Sequence, residues 1–265
     1  MQIITSKENE TIKAIKKLKD KKYRDLQNEY IVEGIKMIEE AVAENANIHK
    51  IVICEECVKD GVIRQKLLYT IAKYDVIYVT KKVFESITDV SNPQGILAVI
   101  EKKNEKQEIG KKDDLIVVLD GLQDPGNLGT ILRTLDSANL KHIILSKDTA
   151  DPYNPKVVRS TMGAIYRINM IVSEDIKETI RGLHKNGYTI LATSLQTNKS
   201  IYDVSYQKKA IIIGNEAKGV SKELLEMADE KIKIPMMGKT ESLNASVATG
   251  IIVYEYVRQK LEKRK

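Results

Sequence analysis

The sequence predicts two α/β domains joined by a polar linker, within a chain of 265 residues. Short apolar runs alternate with segments whose apolar residues recur at helical spacing, which is typical of β-α-β units. The segment from Glu101 to Asp114 is almost wholly charged or polar and cannot bury a core, so it separates the domains. The run Leu115–Leu119 directly after it is entirely apolar, as are strands that parallel sheets bury on both faces.

Residues 1–104 are predicted to form the first domain, and residues 105–114 the linker. A basic helix should open the chain between Asn9 and Leu18, because lysines separate apolar residues there at helical spacing. Strands and helices then alternate. The predicted strands are Glu29–Glu33, Ile48–Cys54, Val76–Val79 and Gly95–Ile100, and the predicted helices are Ile35–Ala43, Val62–Ala72 and Lys81–Ser86.

Residues 115–265 are predicted to form the second domain. After its first strand, Asp120–Asn127 is a turn and Leu128–Ser137 is a helix that carries Arg133. Further strands are predicted at His142–Leu145, Tyr166–Ile171, Tyr188–Ala192, Ala210–Ile213 and Lys231–Ile234, and further helices at Pro155–Thr161, Asp175–His184, Lys222–Met227 and Leu243–Leu261.

The charge balance is compatible with a polyanionic partner. The formal net charge is +6, and part of the excess lies between Lys13 and Arg24. Within this run Lys16, Lys17 and Arg24 are candidate contacts to RNA, although such a run is also typical of a solvated helix face. Only 5% of the residues are aromatic and none is Trp, which disfavours a reader that stacks bases on an aromatic platform.

The cysteines and histidines do not predict a metal site or a catalytic triad. Cys54 and Cys57 form a CxxC pair, but a zinc site needs a second pair or a suitably spaced histidine. His49, His142 and His184 lie far apart in sequence. The chain start lacks the plan of a signal peptide and no apolar run has membrane-spanning length, so a cytoplasmic protein is expected.

Two apolar runs in the last third of the chain each end in a glycine-containing polar loop, and a third polar stretch follows them. These segments are Ile211–Gly219, Ile232–Gly238 and Ser242–Gly250. The loop Gly214–Gly219 matches neither glycine-rich phosphate motif, and its Glu216 would repel a pyrophosphate. A neutral or cationic ligand fits better, and the sulfonium of S-adenosylmethionine is of that kind.

Together with the segment after the first strand of the second domain, these loops carry a resemblance. The chain resembles the SpoU (TrmH-like) branch of the SPOUT RNA 2′-O-ribose methyltransferases in three motifs, in the family's order. The motifs lie at Leu119–Thr134, at Ile213–Gly219, and at Ile234–Met236 with Ser242–Ala248. Glu29–Gly34 and Ser91–Gly95 also resemble the ribosomal-protein-like substrate-binding domain of the members that act on ribosomal RNA.

The resemblance implies a fold that alternation alone does not predict. The second domain would be a SPOUT α/β domain with a deep trefoil knot, an exception to the rule against knots. The first would be a ribosomal-protein L30e/L7Ae-like α/β domain. Family members are homodimers that share the RNA site, bind S-adenosylmethionine and need no metal.

The resemblance also implies site residues. The cofactor would be held largely by main-chain groups at Gly214, Asn215, Gly219, Ile234, Met236, Leu243 and Ser246. The catalytic set would be Asn127, Arg133, Glu216, Ser242 and Asn244, and Arg159 would face the RNA.

The chemistry of these residues suggests roles. We expect Arg133 to clamp a phosphate with Glu216 orienting it, because a guanidinium keeps its proton and is a poor base. Asn127, Ser242 and Asn244 would place the ribose. The alternatives are a structural ion pair between Arg133 and Glu216, Asn127 as a helix cap, and Arg159 as a solvated residue.

The predicted function is therefore S-adenosylmethionine-dependent 2′-O-ribose methylation of structured RNA. The first domain favours 23S ribosomal RNA, since the minimal tRNA members resemble the second domain almost alone. A tRNA 2′-O-methyltransferase and a non-catalytic RNA-binding module remain as alternatives.

Overall fold

The structure is a computed structural model that describes residues 3–58, 65, 68–103 and 113–263. Its contacts divide the chain into two compact units. The first combines Met1–Glu105 with Tyr153–Tyr166, and the second combines Lys106–Pro152 with Arg167–Lys265. The linker predicted at residues 105–114 lies mostly outside the described residues, so the predicted domain boundary stays a prediction.

A mixed five-stranded sheet forms the centre of the first unit, in the strand order β1-β4-β3-β5-β2. Strand β4 pairs parallel with β1 and β3, and β5 runs antiparallel to β3 and β2. The elements are β1 (Ile3–Ile4), α1 (Glu10–Lys17), α2 (Lys21–Gln27), β2 (Glu29–Glu33), α3 (Ile35–Ala43), β3 (Ile48–Ile53), β4 (Val76–Val79), α4 (Lys81–Ile87) and β5 (Ile96–Glu101).

The predicted elements of this unit are confirmed within a residue or two wherever they are described. The helix predicted at Val62–Ala72 falls largely on residues outside the described part, although residues 68–71 are helical. Strand β1 and helix α2 were not predicted. Helix α2 was hidden because Lys21–Gln27 shows more charge than apolar periodicity, and what starts it is Asp20, whose side chain accepts a hydrogen bond from the Lys22 main-chain N–H.

The second unit contains a six-stranded, wholly parallel sheet in the order β11-β9-β10-β6-β7-β8. Apolar residues of its strands pack against helices in a buried core that includes Ile116, Ile144, Ile190 and Ile212. The strands are β6 (Leu115–Leu119), β7 (His142–Ser146), β8 (Asn169–Ser173), β9 (Thr189–Thr193), β10 (Lys209–Ile213) and β11 (Glu230–Ile232). The helices are α5 (Pro125–Ser137), α7 (Ile176–Lys185), α8 (Lys222–Met227) and α9 (Ala245–Glu262).

Helix α6 (Pro155–Ser160) lies in the segment that groups with the first unit. The ring of Tyr153, just before it, packs on the ring of Tyr30 with centroids 4.8 Å apart. The strand predicted at Tyr166–Ile171 is wrong in its first half. Gly163 turns the chain with a φ of 97°, Ala164–Tyr166 form a 3-10 turn, and β8 begins only at Asn169.

Three helices in the second unit begin at residues other than those predicted, because their caps lie elsewhere. Helix α7 begins at Ile176, one residue late, since Asp175 caps it. Helix α5 begins at Pro125, three residues early, since the Asp124 side chain accepts a hydrogen bond from the Asn127 N–H. Helix α9 begins at Ala245, since Asn244 caps it. Among the described residues, every helix is too short or too polar to cross a membrane.

Candidate active site

The carboxyl ends of β9, β10 and β11 open onto a cavity of about 580 Å³, which the start of α9 also borders. This volume lies within the range of about 300–1,000 Å³ found for small-molecule sites. In a parallel sheet the loops after the strands meet at one edge, so residues far apart in sequence share the cavity. Its walls come from residues 193–196, 213–220, 225, 232–234, 236, 241–245 and 248.

One wall of the cavity is a loop whose main chain folds tightly on itself. The main-chain N–H of Asn215 donates to Gly219 O at 3.0 Å, and the Gly219 N–H donates back to Asn215 O at 2.9 Å. A Cβ atom on Gly214 would lie 2.0 Å from the carbonyl carbon of Gly219. Only glycine therefore allows this loop to close, and the loop presents main-chain groups to the cavity.

The Asn215 side chain holds this loop in place. Its amide nitrogen donates to Gly121 O at 2.8 Å, and its oxygen accepts from the main-chain N–H groups of Ala217 and Lys218. These contacts join the loop after β10 to the loop after β6. Asn215 and Gly219, both predicted to bind the cofactor, do line the cavity.

Glu216 extends the connection to the start of α5. Its carboxylate accepts hydrogen bonds from the main-chain N–H groups of Gln123 (3.2 Å) and Asp124 (3.1 Å) and from the side-chain amide of Asn127 (3.0 Å). Partial burial acts to raise the pKa of Glu216, but the hydrogen bond from Asn127 and the main-chain donors outweigh it and lower that pKa. The carboxylate is ionised at neutral pH.

Asn127 and Asn244 complete a hydrogen-bonded chain through the three motifs. The amide of Asn244 donates to Asn127 Oδ1 at 2.9 Å, and Asn127 is only 9% exposed. Asn244 Oδ1 in turn accepts from the main-chain N–H groups of Ser246 and Val247 at the start of α9. Glu216, Asn127 and Asn244 therefore connect the three loops.

Arg133 does not join this chain, so the predicted contact with Glu216 is wrong. Arg133 follows Asn127 by six residues in α5, which places its side chain about 240° around the helix axis from that of Asn127. Arg133 is therefore on another face of α5, where it is exposed. Among the described residues Arg133 forms no ion pair with Glu216, which removes the structural-pair alternative. The cap of α5 is Asp124, so Asn127 is not the cap either.

The remaining predicted cofactor and catalytic residues divide into two groups. Ile234, Met236, Ser242 and Leu243 line the cavity together with Gly214. Ser246 is not among its lining residues, and its hydroxyl donates to Asn244 Oδ1 at 2.7 Å. Sequence reasoning missed the loop after β9, which contributes residues 193–196 to the cavity. Its position after a buried parallel strand was the available signal.

The predicted RNA-contact residues differ in their exposure. Lys16 and Lys17 are exposed on α1. Arg24 is 2% exposed and its guanidinium donates to Leu18 O and Lys19 O at 2.8 and 2.7 Å, so its prediction as an RNA contact is wrong. Arg159 is half-buried in the first unit.

Arg159 lines a small cavity together with the two acidic side chains Glu33 and Asp89. Burial raises the pKa of Glu33, and the charge of Arg159 acts in the opposite direction.

The cysteine pair is structural. Cys54 and Cys57 are buried free thiols with Sγ atoms 2.9 Å apart, and burial raises the pKa of Cys54 to about 12. A thiol with such a pKa is not a nucleophile at neutral pH. Within residues 3–58, 65, 68–103 and 113–263, no group of three or more His, Cys, Asp or Glu side chains is placed to hold a metal ion.

Two family models match the sequence. A model described as the SpoU rRNA Methylase family matches residues 114–254, more than half of the chain. A model described as the MRM3-like substrate binding domain matches residues 9–98. The first match contains Gly214, Glu216, Asn127 and Asn244, and the second contains α1 and α2.

Full-length relatives match as well. The chain is 33% identical to the 23S rRNA (guanosine(2553)-2'-O)-methyltransferase RlmP of Bacillus subtilis (strain 168), over 96% of this chain and 98% of that protein. The AdoMet-bound rRNA methyltransferase of Sinorhizobium meliloti is 30% identical with a TM-score of 0.85, over 97% and 98% of the two chains. AviRb from Streptomyces viridochromogenes, a SpoU methyltransferase solved with AdoMet, has a TM-score of 0.86 at 24% identity over 96% and 98%, which bears on the fold alone.

Proposed function

The chain belongs to the SpoU rRNA methylase family, and from that membership we propose that it methylates a ribose 2′-hydroxyl of 23S ribosomal RNA with S-adenosylmethionine as methyl donor. The relative RlmP, whose name states 2'-O-methylation of a guanosine in 23S rRNA, aligns over nearly the whole of both chains. The match to a substrate-binding domain at residues 9–98 supports an RNA substrate that is bound by this domain as well as by the methyltransferase domain.

The observation that carries the proposal is the cavity bordered by the loops of the second and third motifs and tied to the first motif by Glu216, Asn127 and Asn244. Its volume suits a ligand of the size of S-adenosylmethionine, and Gly214 lets the loop after β10 close so that its main chain can border the cavity. The ionised Glu216 at its wall favours a cationic ligand. The residues that would hold the cofactor are Gly214, Asn215, Gly219, Ile234, Met236 and Leu243.

The roles of the protein side chains follow from their contacts. When bound, S-adenosylmethionine supplies an activated methyl group together with its leaving group. Ser242 and Asn244, at the cavity rim, orient the ribose hydroxyl so that the transfer can proceed in line. Asn127 and Glu216 are positioning residues, because their hydrogen bonds fix the relative positions of the loops.

Arg133 is the group that we assign to the RNA phosphate. It is exposed on α5 and has no ion pair among the described residues, so its charge is available to a polyanion. A guanidinium that binds a phosphate next to the methylated ribose would lower the cost of forming an alkoxide without itself giving up a proton.

We also propose that the protein is a homodimer. Helix α9 exposes Val247, Tyr254 and Leu261, which are 50%, 52% and 56% exposed. They are spaced seven residues apart and therefore lie along one face of the helix. An exposed apolar stripe of this kind is typical of a helix that packs against a second copy.

Three further expectations complete the proposal. The second domain would contain the trefoil knot of its family, and the first would be L30e/L7Ae-like. The division at residues 1–104 and 115–265 would separate substrate binding from methyl transfer. A ribosomal RNA substrate agrees with the cytoplasmic location expected from the sequence.

The test is transfer of label from S-adenosylmethionine to 23S ribosomal RNA and, in a separate reaction, to tRNA, with cofactor binding followed by calorimetry. We expect label in the ribosomal pool only. Label in tRNA alone would change the substrate class. A protein that binds RNA but neither binds cofactor nor transfers label would be the non-catalytic RNA-binding module.

A further inference from the structure

Four lysines on the α1–α2 hairpin, defined as residues 10–27, carry charge that no carboxylate neutralises among the described residues. Lys16, Lys17, Lys21 and Lys22 are all exposed. Within the described part of the chain, none of the four forms an ion pair. Four neighbouring ammonium groups would repel one another, so their arrangement favours an anionic partner.

The two acidic side chains nearest along the chain are already engaged elsewhere. Asp20 caps α2 by accepting a hydrogen bond from the Lys22 main-chain N–H at 2.9 Å. Asp25 pairs with Lys102 at 2.5 Å, which directs it toward the end of β5. Residues 10–27 contain seven basic and three acidic side chains, so the surface formed by the four lysines keeps a positive potential.

A tyrosine ring organises two of these lysines. The ammonium groups of Lys17 and Lys22 lie 5.5 and 5.9 Å from the centroid of the half-buried Tyr23 ring. Both distances are within the range of cation–π attraction. Because the ring restrains two long side chains, binding a phosphate costs less conformational entropy than it would with free lysines.

The backbone of the hairpin is held by the buried Arg24. Its guanidinium donates to the carbonyl oxygens of Leu18 and Lys19, the residues that follow α1. These bonds fix the turn between the two helices and therefore the distance between Lys17 and Lys22. The one arginine of this basic run therefore stabilises the hairpin from its interior, while the four lysines remain exposed at its surface.

We propose that the α1–α2 hairpin binds the sugar–phosphate backbone of the RNA substrate, with Lys17 and Lys22 contacting phosphates and Tyr23 acting as a positioning residue. The inference rests on the proposed function, since it names the surface through which the first domain would hold that substrate. Phosphate contacts carry no base information. The hairpin would therefore add affinity and orientation, and would leave the choice of nucleotide to the active site.

The experiment measures binding of the full chain to a short fluorescein-labelled single-stranded RNA of mixed sequence, over a series of salt concentrations. We expect Lys17→Ala/Lys22→Ala to bind several-fold more weakly, with a salt dependence of log K that is less steep by about 1.4, or about 0.7 for each phosphate that is no longer neutralised. Tyr23→Ala should weaken binding in the same direction, and Tyr23→Phe, which keeps the ring, should restore it.

The matched control is Lys50→Ala/Lys81→Ala, which removes the same charge from lysines outside the hairpin that are already paired with Asp75 and Glu85. It should keep the parent's affinity and salt dependence. Equally weakened binding in this control and in Lys17→Ala/Lys22→Ala would overturn the inference, as would unchanged binding in both. If the parent methylates 23S RNA while the lysine variants bind as well as it does, only the hairpin's role fails. If the parent binds neither the probe nor 23S RNA, the proposed function fails with it.

Discussion

Glu216 shows how one side chain can connect loops that lie far apart in sequence. It belongs to the loop after β10, yet its carboxylate accepts hydrogen bonds from three groups between Gln123 and Asn127. Because these bonds lower its pKa, the carboxylate is a stronger acid in the folded chain than in the unfolded one. Its contribution to stability must therefore depend on pH.

The sign of that dependence follows from the lowered pKa. The ionised carboxylate contributes its full stabilisation of the fold above the pKa of about 4.3 that it has in the unfolded chain. This stabilisation is lost as the pH falls through the lower pKa that it has in the folded chain. The parent should therefore melt above Glu216→Gln at neutral pH, and the difference in Tm should shrink as the pH falls below the unfolded pKa of about 4.3. The effect is small because Glu216 is exposed. Melting curves across this range would contradict the assignment if the difference stayed constant.

Arg24 illustrates the opposite case, a charge that is buried for structural reasons. Arg24→Ala would leave the carbonyl groups of Leu18 and Lys19 without this donor, and we expect the free energy of unfolding to fall by about 3 kcal/mol. Lys16→Ala, on the exposed face of α1, should change it by less than about 0.5 kcal/mol. Denaturant titration compares the two variants. Equal stabilities would show that the guanidinium does not hold the hairpin.

At the scale of the elements, the sequence predicted what depends on apolar pattern and missed what depends on local capping or on tertiary contacts. Strands β6 and β10 were predicted because their runs are uninterrupted, and parallel pairing buries both faces. Helix α2 was missed because its charges mask its period. The segment Tyr166–Ile168 is assigned to a strand from its sequence because apolar residues flank Arg167 there, but Tyr166 ends a 3-10 turn and β8 begins only at Asn169.

The candidate site could be predicted as three motifs but not as a geometry. The end of a predicted strand places Gly214 and Glu216 at one edge of the sheet, since parallel strands bring their carboxyl ends together. Asn244 follows from the family resemblance. Asn127 and Arg133 leave α5 in different directions, so only Asn127 contacts Glu216. The spacing of the two residues in the motif does not give these directions unless the start of the helix is known. For the same reason the composition of the basic run could not reveal that Arg24 is buried.

The loop after β10 offers a direct test of the main-chain wall. Gly214→Ala would push the peptide bond between Gly219 and Val220 away from residue 214, because the added Cβ would lie about 2 Å from its atoms. We expect cofactor affinity to fall at least tenfold by calorimetry, together with a lower Tm.

The control for this variant is Gly182→Ala in α7, where an added Cβ meets nothing within 4 Å. Alanine is the better helix former, so this change should raise stability by about 0.5–1 kcal/mol. Cofactor binding unchanged in Gly214→Ala would mean that the cavity wall is not where the cofactor lies.

At the scale of the whole molecule, the proposed dimer places a second copy on α9. Tyr254→Asp/Leu261→Asp would bury charge in the proposed contact, so the mass in solution should fall from that of two chains to that of one. Val172→Asp/Tyr202→Asp changes two side chains of similar exposure, 50% and 57%, elsewhere in the second unit and should leave the mass unchanged. Light scattering after size-exclusion chromatography measures the mass of both variants. A parent that is already a single chain would refute the dimer.

The methyl group is proposed to reach a ribose 2′-oxygen, and alkaline hydrolysis tests this directly. RNA cleaves in alkali because the 2′-oxygen attacks the neighbouring phosphate, so a methylated 2′-oxygen blocks cleavage at that linkage. After reaction of the protein with labelled S-adenosylmethionine and 23S ribosomal RNA, the label should be recovered in alkali-resistant dinucleotides. Label released as mononucleotides would place the methyl group on a base and would contradict the assignment of this site.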